Sequence, residues 1–329
     1  MTRLKYILTD CTDPAQNLAV EEYLTFHADT NEVTMYLWQN ANTVVIGRNQ
    51  NPWKECRLEA MEEGGCTLAR RVSGGGAVYH DLGNLNFTFI AREGLYDVAK
   101  QTEVILRAVQ LLGIQAEKNG RNDLTIDGKK FSGHAYFKRG SYCYHHGTIM
   151  MDVNRDVLSR YLNVSTAKLK SKGVDSVRSR VTNLVDYKPK LTLEEVKKAL
   201  IQAFGEVYGG TPEETPLPSF ENPEVKELLD RYRSDAWRLG RKIPFDVEIE
   251  DRLDFGSVTI QLHVDGGIIK EAKIYSDSLA TDVFPKVESL LEGTTYKRSA
   301  LKELNLENLE EEEKPIAAAV IQEIMLQME

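Results

Sequence analysis

Asp127-Gly128 stands between two β-prone runs in DLTIDGKKFSGHAYF (123–137). A type I′ turn needs positive φ at both central positions, which Asp and Gly tolerate, and its twist matches that of paired strands. The segment is therefore expected to fold as an antiparallel hairpin, with YCYHHGTIMMDV (142–153) as a further strand. Asp265-Gly266-Gly267 repeats the signal between VTIQLHVDGG and IIKEAKIYSD, and FDVEIEDRL precedes them, so residues beyond 245 read as an antiparallel meander.

Helices are expected around and between these strands. Asp13-Pro14-Ala15-Gln16 opens one, with Asp13 as cap, Pro14 in the first turn and Gln16 placed to complete a capping box. Ala15, Leu18, Ala19, Tyr23 and Phe26 then recur at helical spacing. Strand-like runs follow at 33–38, 43–47 and 85–91, and Asp97 to Leu112 reads as a helix closed by Gly113. Further helices are expected over 192–208, over 222–238 from Asn222-Pro223, near 281–292 and over 313–327. Residues 165–183 hold five basic residues against one acid, with little periodicity, and read as a long loop. The stretch Gly240 to Pro244 marks a boundary, giving a large domain at 1–244 and a small α+β domain at 245–329.

Composition excludes several classes. Hydrophobic residues make up 42% and charged residues 28%, ordinary for a folded protein. No stretch approaches the ~20 apolar residues that span a bilayer, and the N-terminus lacks the pattern of a secretory signal, so no membrane association is expected. The four cysteines, Cys11, Cys56, Cys66 and Cys143, form no C-x-x-C pair, which argues for a cytoplasmic protein with reduced thiols. Residues 245–329 carry 19 acidic against 8 basic residues, while 1–244 are close to neutral at 31 against 33. The larger part can hold anions; the acidic part speaks against nucleic acid as a partner.

RRVSGGGAVYHD (70–81) offers an anion site. Three consecutive glycines allow a ligand to lie against the backbone, and successive N–H groups make a concavity that Arg70 or Arg71 can complete. A plain glycine-rich turn is the alternative. No G-K-[ST] follows and Gly74-Gly75-Gly76 does not make G-x-G-x-x-G, so neither common nucleotide loop applies. Lys130 follows the tight turn, and its face depends on register; Gly133 interrupts the strand soon after, a mark of close approach. His145 and His146 fall on opposite strand faces and cannot easily share one metal ion.

Taken together, RRVSGGGAVYHDLGNLN, NGRNDLTIDGKKFSGHA, HHGT and KSKGVDSVRSRVTNL resemble the lipoate-protein ligase A family in wording and order, over most of residues 1–240. The resemblance implies an α/β catalytic domain of the biotin-ligase-like, class II synthetase-related fold, with mixed sheets flanked by helices, and a small accessory domain. It implies ATP and Mg²⁺ as cofactors and lipoate as substrate. Lipoate would attack the α-phosphate of ATP to give lipoyl-adenylate, and a lysine of a lipoyl domain, on an E2 subunit or the glycine cleavage H protein, would take the acyl group.

The resemblance also assigns residues. Lys130 would touch lipoate carboxylate and α-phosphate. Arg71 would bind phosphate and adenylate, with Gly75, Gly76, Ala77, Val78 and Tyr79 lining the nucleotide pocket. Asn122 and Asp123 would position adenylate and magnesium, with Ser73, His80, Asn84 and His146 nearby. Lys172, Gly173, Val174 and Arg178 would belong to a loop that covers the adenylate. The acyl slot would be apolar, and Leu18, Tyr36, Val45, Val78 and Ile149 are of the expected kind, although each also suits plain core. Joining carboxylate to phosphate brings two anions together, so the cations have a physical role. A monomer is expected, and octanoate is a second candidate acid. Two other readings remain: an octanoyl or lipoyl transferase with a cysteine nucleophile, for which Cys143 beside YHHG is the candidate, and a biotin-type ligase.

Overall fold

The structure, a computed structural model, describes residues 2–119, 123–163 and 181–328. The chain divides into two compact units. The first comprises residues 1–45, 53–69 and 78–238; the second comprises 46–52, 70–77 and 239–329.

The first unit is built on a mixed eight-stranded sheet. Its strands are β1 (Arg3–Leu8), β2 (Glu32–Trp38), β6 (Asn84–Arg92), β7 (Glu117–Asn119), β8 (Asp123–Ile126), β9 (Lys129–Arg139), β10 (Tyr142–Met150) and β11 (Glu213–Glu214). Their order is β11-β1-β2-β6-β10-β9-β8-β7, parallel where β1 meets β2 and β11 and antiparallel across the remaining pairs. A smaller sheet has the order β4-β3-β5, from β3 (Thr43–Ile46), β4 (Thr67–Arg70) and β5 (Val78–His80).

Helix α1 (Pro14–Phe26) lies on one face of the large sheet. Asp13 caps it by accepting from the N–H groups of Ala15 and Gln16, but Gln16 does not complete a capping box. Its amide oxygen instead accepts from the Cys11 thiol. Helices α2 (Val98–Leu111) and α3 (Leu193–Tyr208) cover the other face. There Met35, Leu37, Phe87, Phe89, Ile149 and Phe204 join one apolar core, so Ile149 is core. The helix expected over 222–238 ends early: α4 (Pro223–Arg233) stops where Ser234 takes extended φ and ψ, and one further turn spans Asp235–Arg238. Pro223 and the Asn222 cap start α4 as the sequence suggests.

In the second unit, β12 (Val247–Leu253), β13 (Gly256–Asp265) and β14 (Ile268–Ser276) form the antiparallel meander. Gly266 and Gly267 both have positive φ, 58° and 74°, and Asp265 pairs with Ile268 across them. Helices α5 (Val283–Leu291) and α6 (Lys314–Leu326) close an apolar core with Ile260, Leu262, Ile274, Phe284 and Ile324.

Candidate active site

The expected hairpin is present: Asp127 and Gly128 have φ of 50° and 72°. Pairing then shifts by one residue. Thr125 opposes Lys130 but Leu124 opposes Ser132, so Phe131 is the extra residue of a β-bulge. On an unbroken strand Lys130 would share a face with Ser132 and His134. The bulge turns it to the face of Gly133, where an added Cβ would stand 2.8 Å from both Cε and Nζ of Lys130. The missing side chain at Gly133 is what makes room for the ammonium group.

Lys130 Nζ donates to Asp123 Oδ1 at 2.7 Å, with both side chains about four-tenths exposed. A pair so open to water contributes little to stability, and an anionic ligand can take the place of the carboxylate. The Gly133 N–H points at Thr148 Oγ1, 3.3 Å away, so the threonine of HHGT stands beside the lysine. The Lys130 carbonyl accepts from the Thr182 N–H at 2.9 Å, which ties the chain leaving 164–180 to the lysine's own backbone.

The same sheet face carries a buried polar network. Glu21 of α1 accepts from Thr88 Oγ1 at 2.6 Å and from His146 Nδ1 at 2.8 Å, and Trp38 Nε1 donates to Thr88 Oγ1. Tyr36 donates to Asn17, whose amide donates to Asn40, and the Asn40 amide in turn reaches His80 Nδ1 at 3.2 Å. Asn84 donates to Asn86. Leu18 is buried, and Val78 pairs with Val45 in the small sheet. Glu21, Trp38, Thr88 and Thr148 are absent from the residues expected from sequence. The signal for Glu21 is a glutamate pair inside the apolar run LAVEEYL, which forces a carboxylate toward the interior.

The opposite face is closed. Gln101 Oε1 accepts from His145 Nδ1, so His145 Nε2 accepts from His134 Nδ1 at 2.8 Å, and His134 Nε2 accepts from Ser132 Oγ. Burial, reinforced by the charge of Lys130, pushes His134 down to about 3, and burial likewise lowers His145. Both rings are neutral near pH 7. Cys143 is fully buried on this face, and burial pushes its thiol up. Cys66 is pushed up to about 11 and Cys11 is also raised, the wrong direction for an activated nucleophile.

The glycine motif belongs largely to the second unit. Arg71 is buried, and its guanidinium donates to Ser73 Oγ at 3.1 Å, Gly74 O at 2.7 Å and Gly76 O at 2.8 Å. It gathers the carbonyls of its own loop. Gly75 has φ of 92°, and its N–H donates to Ser278 O at 3.1 Å. A Cβ on Gly74 would meet Ser278 O at 2.1 Å, so the backbone at 278–279 is what lies against the glycines here, while a Cβ on Gly76 would meet open space.

Lys130, Asp123, Leu18, Val78, Tyr79, His80, Asn84 and His146 therefore fall in the first unit, and Arg71, Ser73, Gly75, Gly76 and Ala77 in the second. Asn122, Lys172, Gly173, Val174 and Arg178 lie outside the described residues. Among the described residues, no three or more His, Cys, Asp or Glu side chains gather as a metal site, and no helix is long and apolar enough to cross a membrane.

The family model of the lipoyl protein ligase A/B catalytic domain matches residues 13–205, and that of the bacterial lipoate protein ligase C-terminus matches 242–325. Among solved structures, P. falciparum LipL1 in complex with lipoate is 28% identical, with a TM-score of 0.82 over 97% of this chain and 99% of its own. A bi-partite lipoate protein ligase of Thermoplasma acidophilum, studied with its E2 lipoyl domain, is 28% identical with a TM-score of 0.67 over 75% of this chain and 100% of its own. A lipoate-protein ligase A bound with ATP is 26% identical, with a TM-score of 0.64 over 73% and 99%.

Proposed function

Because the chain belongs to the lipoyl protein ligase A/B family and is a ligase enzyme, we propose that it activates free lipoate with ATP, releasing pyrophosphate, and passes the acyl group to a lysine of lipoyl domains. The acceptors of this reading are E2 subunits and the glycine cleavage H protein. Lipoate and ATP are each bound in related structures. Residues 1–244 would be the catalytic domain and 245–329 the accessory domain.

The observation that carries the proposal is the placement of Lys130, turned by the bulge onto the face of Gly133 and Asp123. Its ammonium group can leave Asp123 for the lipoate carboxylate and the α-phosphate. There it offsets the repulsion between two anions as the carboxylate oxygen attacks phosphorus. Arg71 serves the phosphates in this reading, which requires its guanidinium to exchange loop carbonyls for phosphate oxygens. Ser73, Gly75, Gly76, Ala77, Val78, Tyr79, His80, Asn84 and Asn122 would line the adenylate, Leu18 and His146 the lipoyl chain, and Lys172, Gly173, Val174 and Arg178 the cover.

Asp123 is a single carboxylate beside Lys130, which suits Mg²⁺, an ion that takes one or two protein carboxylates and fills its other positions with phosphate and water. Bound there, Mg²⁺ would neutralise phosphate charge. In the second half-reaction the acceptor amine must be neutral, and either Asp123 Oδ1, once released by Lys130, or the adenylate's own phosphate can take its proton.

The raised thiols of Cys11, Cys66 and Cys143 speak against the cysteine transferase. The test offers a lipoyl domain either free lipoate with ATP or an octanoyl group on its carrier protein. Modification with lipoate and ATP alone is expected. Modification with the carrier-bound acyl group and no ATP overturns the ligase.

A further inference from the structure

Asn86 is 1% exposed, and its Oδ1 accepts from the Asn84 amide at 3.0 Å. That leaves the other end of the amide. Asn86 Nδ2 is buried with no hydrogen-bond acceptor among the described residues. Buried polar groups are nearly always paired, because an unmade bond forfeits the interaction with water and gains nothing in return. An apolar residue in the middle of the sheet would avoid that cost. The donor calls for a partner that the free protein does not supply.

Strand register places that donor. Asn86 pairs with Trp38 on β2 and with Thr148 on β10. Thr148 Oγ1 accepts from the Gly133 N–H, and Gly133 pairs with Asp123 on β8. Trp38, Asn86, Thr148, Gly133 and Asp123 thus form one row across five strands, on the face that carries Lys130. The neighbours of Asn86 on β6, Leu85 and Phe87, belong to the apolar core behind the sheet. Asn86 and Gly133 lie two strand spacings apart, roughly 10 Å. An amide and an ammonium group reaching inward from those positions leave room over Thr148 for one carboxyl group. The next row holds Thr88 and His146, where the ligase reading puts the lipoyl chain, so the acyl end falls in the row of Asn86.

We propose that Asn86 Nδ2 donates to the acyl oxygen of lipoate that does not attack phosphorus. This rests on the ligase reading, in which Lys130 holds the same carboxyl group. The two half-reactions use the donor differently. In activation, negative charge leaves this oxygen as the other one bonds to phosphorus and pyrophosphate departs, so the hydrogen bond serves binding rather than rate. In transfer, the lone pair of the acceptor amine bonds to the acyl carbon, and the C=O π pair moves onto this oxygen. The pair then returns, the C–O bond to AMP breaks, and the amine proton goes to Asp123 or the departing phosphate. A donor already aimed at the developing oxyanion contributes most at this step.

The test compares the unaltered full chain with Asn86→Leu, which matches the side chain in size, and Asn86→Asp, which keeps the acceptor for Asn84. It reads kcat and KM for lipoate in ATP–pyrophosphate exchange, the single-turnover rate from synthetic lipoyl-adenylate to a lipoyl domain, and the urea midpoint. In Asn86→Leu, transfer should fall about 10²–10³-fold, the scale of losing one oxyanion donor. KM for lipoate should rise about tenfold, while kcat of exchange stays within about threefold. The urea midpoint should hold, since the lost amide has no partner in the free protein. Asn86→Asp should slow transfer at least as much, and it carries the comparison alone if the leucine variant does not fold. Transfer at the normal rate in the variants overturns the proposal. So does an equal fall in transfer and in kcat of exchange, which would mark a residue that only shapes the pocket. Failure of exchange in the unaltered protein removes the ligase reading itself, a result distinct from loss of the transfer step alone.

Discussion

On β10, His146 and His145 are adjacent residues in two different kinds of polar surroundings. His146 faces α1 and shares the Glu21 carboxylate with Thr88, on the face that also carries Lys130 and Asp123. His145 faces α2, in a chain from Ser132 to Gln101 whose hydrogen bonds all run one way between neutral groups. One face holds charge that can be redistributed; the other holds a chain of neutral groups. What decides the side for Lys130 is the bulge at Phe131; with regular alternation through that residue the ammonium group would share a face with His134.

The largest effect should come from removing the charge on the open face. Lys130→Ala is expected to lower both activation and transfer by at least about 10²–10³-fold, the scale of losing a group that stabilises developing charge, while circular dichroism stays native. Near-normal rates would remove Lys130 from the chemistry. Gly133→Ala leaves the charge and moves it, because the new Cβ occupies the space of Cε and Nζ. A loss of about ten- to a hundredfold in kcat is expected, as for a misplacement of about 1 Å, and unchanged kcat would mean that the lysine does not work from this position.

The closed face should respond to acid instead. The folded-state value for His134, about 3, lies below the roughly 6.5 of an unfolded histidine. Between those values the unfolded chain binds the extra proton, so the contribution is complete above about pH 6.5 and is lost as pH falls toward 3. Urea midpoints should drop over that window by an amount equivalent to a few kcal/mol, and His134→Gln should flatten the slope. Identical slopes for the two proteins would contradict a neutral His134. The smallest effect is expected from Cys143→Ser, which exchanges one buried small side chain for another at about 1–2 kcal/mol of stability. Its activity should stay within about twofold, and a large loss would return the cysteine transferase to consideration.

Local signals made much of this legible in the sequence. Asp127-Gly128 fixed a hairpin because turn chemistry involves neighbours only, and strand alternation alone separated His145 from His146. The bulge was hidden because KKFSGHA reads as one uninterrupted strand; only pairing with 123–126 exposes the extra residue. Glu21, Thr88, Trp38 and His146 come from four separate elements, so no spacing rule links them. Ser234 carries no strong breaker signal, and the helix expected to reach 238 ended there. The glycine triplet reads from sequence either as a concavity for a ligand or as a plain turn, and in the structure the backbone at 278–279 lies against Gly74, a pairing that only tertiary contact reveals.

The central claim is that the lysine face activates lipoate at the expense of ATP. Its most direct measurement is ATP–pyrophosphate exchange by the purified full chain with lipoate, octanoate or biotin supplied in turn. Exchange that depends on lipoate, disappears in Lys130→Ala and is absent with biotin is the result expected. Exchange with biotin alone, or none with any of the three acids, would contradict it.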